Sequence, residues 1–276
     1  MKEEVIMSRF NKILADIKSV KIQGAENVAK AGIMAFLLSP TKSSAKKIVS
    51  IRPTEPLLQN AISALLNSKK PALSAKFFLS NLNKSHNKIA KKGASLIKNN
   101  MNIYSHCHSS TVMDILKYAK KVQKKKFTVY TTEVEPLLQG RTTAKDLAKS
   151  KIKVVISPDL AAEQSIKKCD LFLFGADAFT KSVVANKIGT STLVKLAKLH
   201  GVPRYSCGVA LKFTKKIKIK LRSPLEVWNQ RNKNIEVINP PFDKTKLSQL
   251  SGVISEFGIL PPKQFVKKAE EKLKKL

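Results

Sequence analysis

From residue 101 onward the chain alternates short apolar runs with stretches of helical period, a texture that few folds accept. Strand-like runs at 101–105, 127–131, 152–156, 171–174 and 204–209 are separated by predicted helices at 110–121, from 143, 161–167 and 188–199. Parallel strands need a long crossover, most often a helix, so the alternation predicts a Rossmann-like, mostly parallel sheet. Residues 171–174, Leu-Phe-Leu-Phe, are apolar at every position, as expected of a strand buried on both faces. Residues 235–238 are a further candidate strand, and a Lys/Glu-rich helix is expected at the end of the chain.

The first hundred residues read differently. Apolar residues recur at helical spacing over 6–17 and again over 25–38, where Ser39-Pro40 stops the pattern. A Lys/Ser-rich link follows. Pro53 can open a third helix with Leu57, Leu58, Ile62 and Leu65 on one side, and Pro71 begins a longer one through Phe77, Phe78, Leu82, Ile89 and Ile97. No long period-two segment interrupts them. The fold class is therefore α/β: a helical N-terminal domain, residues 1–100, followed by a Rossmann-like domain, residues 101–276.

Composition narrows the function classes. Apolar residues make up 43% of the chain, enough for a core, yet no run approaches the roughly 18 needed to span a membrane. The start, Met1-Lys2-Glu3-Glu4, lacks the apolar stretch of a signal peptide. Three cysteines without a close pair point away from disulfides and zinc knuckles and fit a reducing cytoplasm. The net charge of +33 attracts polyanions in general. It is spread along the whole chain, with no aromatic-studded groove, so it reads as solvated faces; a nucleic-acid partner is open but not favoured. There is no G-x-G-x-x-G and no Walker loop, so no nucleotide cofactor is indicated.

Five short constellations follow predicted strands or precede helices, where open α/β sheets bind ligands. Asp177 lies just past Gly175, and Asn186-Lys187 precede Ile188-Gly189-Thr190; Asp177 either caps a turn or does chemistry. Ser105-His106-Cys107-His108-Ser109-Ser110-Thr111 offers a thiol near a helix start, where a lowered pKa would make it a base or nucleophile. Cys107 is alternatively a small core residue. A metal on His106 and His108 is disfavoured, because in an extended strand Cys107 points the other way. Ser109, Ser110 and Thr111 can hold a phosphate at a helix start. Gln139 and Arg141 follow another strand, in a stretch that reads equally as a ligand loop and as a solvated turn. Arg52 precedes a helix and Lys212 follows a strand, each a phosphate ligand or a surface cation.

Taken in order, these pieces resemble one superfamily. It holds archaeal ribose-1,5-bisphosphate isomerase, methylthioribose-1-phosphate isomerase and the regulatory subunits of the exchange factor for translation initiation factor two. The likeness covers about residues 20–262 and rests on Arg52-Pro53-Thr54, His106-Cys107-His108-Ser109, Gln139-Gly140-Arg141-Thr142-Thr143-Ala144, Gly175-Ala176-Asp177, Asn186-Lys187-Ile188-Gly189-Thr190, Lys212-Phe213 and Asn239-Pro240-Pro241-Phe242-Asp243. The resemblance implies an aldose–ketose isomerase of a sugar phosphate that needs no metal or cofactor. Within it, the His-Cys-His-Ser form is nearer to the ribose-bisphosphate group. It implies that Cys107 accepts a proton and Asp177 donates one. Arg52, Ser109, Ser110, Thr111, Asn186, Lys187 and Lys212 would bind substrate, mostly its phosphates. A cytoplasmic homo-oligomer, dimer or hexamer, is implied as well.

The chain departs from that pattern. Gln23-Gly24-Ala25-Glu26 stands where the family enzymes have Arg-Gly-Ala-Gly, so the substrate-binding turn has a carboxylate and lacks an arginine. Glu135 also replaces an arginine, and the loop between Asp177 and Asn186 is short. The competing reading is a non-catalytic regulatory subunit that binds a sugar phosphate or nucleotide.

Overall fold

A computed structural model describes residues 2–229 and 232–274. Five helices come first: α1 (Lys2–Lys18), α2 (Ala25–Leu38), α3 (Lys42–Ile51), α4 (Pro56–Leu66) and α5 (Pro71–Ala94). The Lys/Ser-rich link is thus itself a helix. Thr41 caps α3 by accepting from the Ser44 amide, and only Ser44, Ala45 and Ile48 are buried, too few to stand out as an apolar stripe. The helix expected from Pro53 starts three residues later, with Pro56 in its first turn.

Strands and helices then alternate: β1 (Asn102–His106), α6 (Ser110–Lys121), β2 (Thr128–Thr132), α7 (Gln139–Lys149), β3 (Lys153–Ser157), α8 (Ala162–Ile166) and β4 (Leu171–Gly175). A hairpin, β5 (Ala178–Phe179) and β6 (Val183–Lys187), leads to α9 (Thr190–Leu199) and β7 (Arg204–Cys207). The chain ends with β8 (Phe242–Lys246), β9 (Gly252–Ser255), β10 (Gly258–Leu260) and α10 (Pro262–Leu273). The expected strand at 235–238 is irregular, with Ile235 and Ile238 exposed; the strand lies further on, at β8. α7 begins four residues before its predicted start and takes in Gly140, where an added Cβ would lie 1.7 Å from the Thr132 carbonyl oxygen.

The seven-stranded sheet has the order β10-β9-β7-β4-β1-β2-β3, parallel except for β10. Its two faces follow the period-two alternation of the strands. Ile103, Val129, Leu171 and Leu173 enter a core shared with the N-terminal helices, α5 and α6. Tyr104, Phe172, Phe174 and Val253 enter the other, with Val194, Phe265 and Ala269 of α9 and α10. Each fully buried aromatic side chain contributes about 1.5–3 kcal/mol of burial. The wholly apolar run of β4 is therefore the floor of both layers. A three-stranded sheet, β5-β6-β8, stands at the carboxyl end of β4.

Candidate active site

The strand order runs one way from β1 through β2 and β3, and the other way from β4 through β7 and β9. The crossovers diverge between β1 and β4, so a crevice opens beyond the carboxyl ends of these two strands. His106 of β1 pairs with Phe174 of β4, which puts the following residues, Cys107 and Gly175–Asp177, side by side over that crevice. The turn after β1 passes close to β4. A Cβ on Gly175 would lie 2.6 Å from Ser109 Oγ, so this approach requires glycine.

A cavity of about 220 Å³ fills the crevice, roofed by the N-terminal helices. Of the residues singled out from the sequence, Cys107, Asp177, Gln23, Gly24, Ala25, Glu26, Arg52, Ser109, Ser110, Asn186, Lys187 and Lys212 all line it. Thr111 does not. It is 1% exposed in the first turn of α6, where its side chain packs inward. Arg141 pairs with Glu133 instead of lining the cavity, and Glu135 is exposed outside it. Gln139 does line it.

Cys107 leaves the strand with φ 65°, the left-handed region, at a strain of roughly 1–2 kcal/mol. Its thiol donates to Gln139 Oε1 at 3.2 Å, and its carbonyl accepts from Thr143 Oγ1 at 2.9 Å. The strand alternation invoked for the histidines ends at His106. His106 Nε2 meets the Ile188 carbonyl at 3.0 Å, and His108 Nδ1 meets Thr143 Oγ1 at 3.0 Å. Each imidazole is thus committed elsewhere. Burial pushes His106 down to about 4, so it is neutral.

Two expectations about protons meet the structure differently. The thiol was expected to be acidic, but burial first, and then the charge of Asp177, push Cys107 up to about 12; only Lys187 and a His108 amide favour the thiolate. A nearby helix start does not offset that desolvation. Asp177 is held above the usual carboxylate range by burial, against the pull of Lys212 and Lys187. Its amide donates to the Ala185 carbonyl of β6 at 2.9 Å, which fixes the turn.

The cations come from several elements. Lys187 ends β6 and is buried. Lys212 sits on the short 3-10 turn Ala210–Lys212, and its Nζ donates to the Ala176 carbonyl. Asn60 of α4 holds that turn by donating to the carbonyls of Leu211 at 2.8 Å and Phe213 at 3.2 Å. Arg52 caps the end of α3 and reaches the Ile17 carbonyl with Nη2 at 3.0 Å, leaving Nε without a partner. Glu26 does reach the cavity, but Lys30 at 2.6 Å and His86 Nε2 at 3.1 Å engage its carboxylate.

Two charged lining residues escaped the sequence reading. Arg222, paired with Glu226, sits among scattered lysines that hide it. Glu55 directly follows Arg52-Pro53-Thr54, and its place in the chain was the only signal.

A doubly wound sheet with a thiol and a carboxyl at its switch point, ringed by buried cations, defines an α/β protein built to bind a small anionic ligand. The chain belongs to the initiation factor 2 subunit family, whose model matches residues 20–262. It is 32% identical to the ribose 1,5-bisphosphate isomerase of Thermococcus kodakarensis, over 93% of this chain and 92% of the relative. It is also 32% identical to a putative translation initiation factor eIF-2B subunit 2-like protein of Pyrococcus furiosus, over 92% and 98%. The crystal structure of the Pyrococcus horikoshii translation initiation factor eIF-2B superposes with a TM-score of 0.84 at 27% identity, covering 94% of this chain and 98% of that one.

Proposed function

We propose that the protein is an aldose–ketose isomerase that converts ribose 1,5-bisphosphate to ribulose 1,5-bisphosphate, in the salvage of nucleotide-derived ribose. The observation that carries this reading is the pairing of Cys107 with Asp177 in one cavity lined by Arg52, Lys187 and Lys212. Identity to a ribose 1,5-bisphosphate isomerase over nine-tenths of both chains supports it.

In this reading ring opening breaks the C1–O4 bond, and O4 takes a proton from the Asp177 carboxyl. Cys107, as thiolate, removes the proton from C2; that electron pair forms the C1–C2 double bond of an enol. The C2 hydroxyl then releases its proton to a carboxylate, C2 becomes the ketone carbon, and Cys107 returns its proton to C1. One proton moves from C2 to C1 and one from O2 to O4, so the enzyme ends as it began. The charge of Asp177 opposes the thiolate and that of Lys187 favours it, so a neutral Asp177 and an ionised Cys107 support each other. Buried lysines and Arg52 hold the phosphates, and Ser109 and Ser110 at the start of α6 add an anion site.

We also place it in the cytoplasm as a homo-oligomer. Its three cysteines are unpaired, and no described helix is long and apolar enough to cross a membrane. Exposed apolar side chains such as Phe77, Trp228 and Ile238 suit subunit contacts.

The test is isomerisation of ribose 1,5-bisphosphate by the purified chain, followed by NMR. Cys107→Ser should lower kcat by at least about 10³-fold with substrate binding retained. Full activity in that variant would remove the thiol from the mechanism, and an inactive wild type would remove the reaction.

A further inference from the structure

The reaction just described, on which this inference rests, places two demands on oxygen protons: O4 must gain one and O2 must lose one. The atoms lie on different parts of the sugar, and Asp177 is a single carboxyl. A second acid lies in the same cavity. Glu55 precedes α4, is 6% exposed and lines the cavity, and its Oε2 has no hydrogen-bond partner. An unpaired carboxyl buried in this way is destabilising unless something in the cavity meets it. Nor does it cap α4, since no side-chain bond is made to the helix start.

Its surroundings suit proton traffic. The charged groups acting on Glu55 are Asp177, Lys212 and Arg52. Lys212 Nζ is held by the Ala176 carbonyl, next to Asp177, and α4 itself anchors the turn that carries Lys212 through Asn60. Glu55 and Asp177 are thus two carboxyls of one cavity, sharing a cation.

We propose that Glu55 is a second proton-carrying carboxyl of this active site, touching a sugar hydroxyl and working with Asp177 as a pair that passes one proton between substrate oxygens. One carboxyl gives its proton to O4, its partner takes the proton released by O2, and that proton then passes back from the partner to the first carboxyl, which resets the pair. The pair begins and ends with the same number of protons, and no further reactant is needed. Burial and the charge of Asp177 push Glu55 up to about 8, so Glu55 carries a proton at neutral pH and can give it up to a substrate oxygen.

The deciding variant is Glu55→Gln, which keeps the shape and hydrogen bonding of a protonated acid but cannot pass a proton. In the full chain, with folding checked by circular dichroism, kcat for ribose 1,5-bisphosphate should fall on the order of 10²-fold while KM stays within about threefold. Glu55→Asp should recover part of kcat, and it carries the same kcat-against-KM readout if the amide variant does not fold. Wild-type turnover with unchanged kcat in folded Glu55→Gln, or a change in KM alone, overturns the role of Glu55 and leaves the isomerase reading standing. Absence of wild-type turnover defeats the isomerase reading itself, and Glu55 with it.

Discussion

On the sheet side of the cleft, Cys107 bonds Gln139, Lys212 bonds Ala176 and the Asp177 turn is tied to β6. On the helical side, Glu55 and Arg52 each leave a buried atom unpartnered, while the charge of Glu26 is spent on Lys30 and His86. Buried unpartnered atoms occur on the sheet side too, at Ser105 and His106 of β1, but those that belong to cavity-lining residues, Arg52 and Glu55, both lie on the helical wall. Networks that are complete fix geometry, which proton transfer at carbon needs. Open valences wait for a ligand, Arg52 for a phosphate and Glu55 for a sugar hydroxyl, so the helical wall completes the site around the substrate.

Three substitutions sharpen or break that division. The largest effect is expected on the sheet wall. Lys187→Met removes a buried charge that favours the thiolate and should cut kcat/KM by about 10²-fold, measured by steady-state kinetics. A loss confined to KM would show that Lys187 only binds.

The next concerns stability. Glu55 is raised from 4.5 to about 8 in the fold, so the folded state binds a proton that the unfolded chain has released between those values. Its contribution is full below pH 4.5 and is lost as pH rises to 8, by up to about 1.4 kcal/mol per pH unit. Glu55→Gln should flatten that decline and raise the melting temperature at pH 8, as read by thermal unfolding across the range. An unchanged slope would mean that Glu55 is ionised in the fold.

The smallest effect tests the spent charge. Lys30→Met frees the Glu26 carboxylate to face the ligand, and KM for a phosphorylated sugar should rise about threefold to tenfold with kcat unchanged. No change in KM would show that His86 alone holds Glu26.

Much of the scaffold was legible in the sequence because it is written in apolar residues. Leu171–Phe174 announces a central strand, and the alternating helices announce its neighbours. What was missed lacks that signal. α3 buries only Ser44, Ala45 and Ile48, β8 is mostly polar, and β5 with β6 read as a loop. Residues 235–238 misled in the opposite sense, since Ile235 and Ile238 are apolar yet exposed. Within the site, position along the chain located Cys107 and Asp177 at strand ends. Proximity to a helix start gave the wrong direction for the thiol, because acidity depends on burial, which no short motif records. Glu55 went unread since nothing in Arg52-Pro53-Thr54-Glu55 says that the next side chain turns into the crevice.

The backbone at residue 107 has a consequence for how such a chain can change. A left-handed conformation suits glycine and strains every residue with a Cβ. The fold gains only the thiol's bond to Gln139 from the sulfur on which the proposed chemistry rests. Glycine here would relax the turn and remove that sulfur, so durability and turnover pull against each other at this one position. A descendant that keeps the anion cradle and drops catalysis would travel downhill in folding energy.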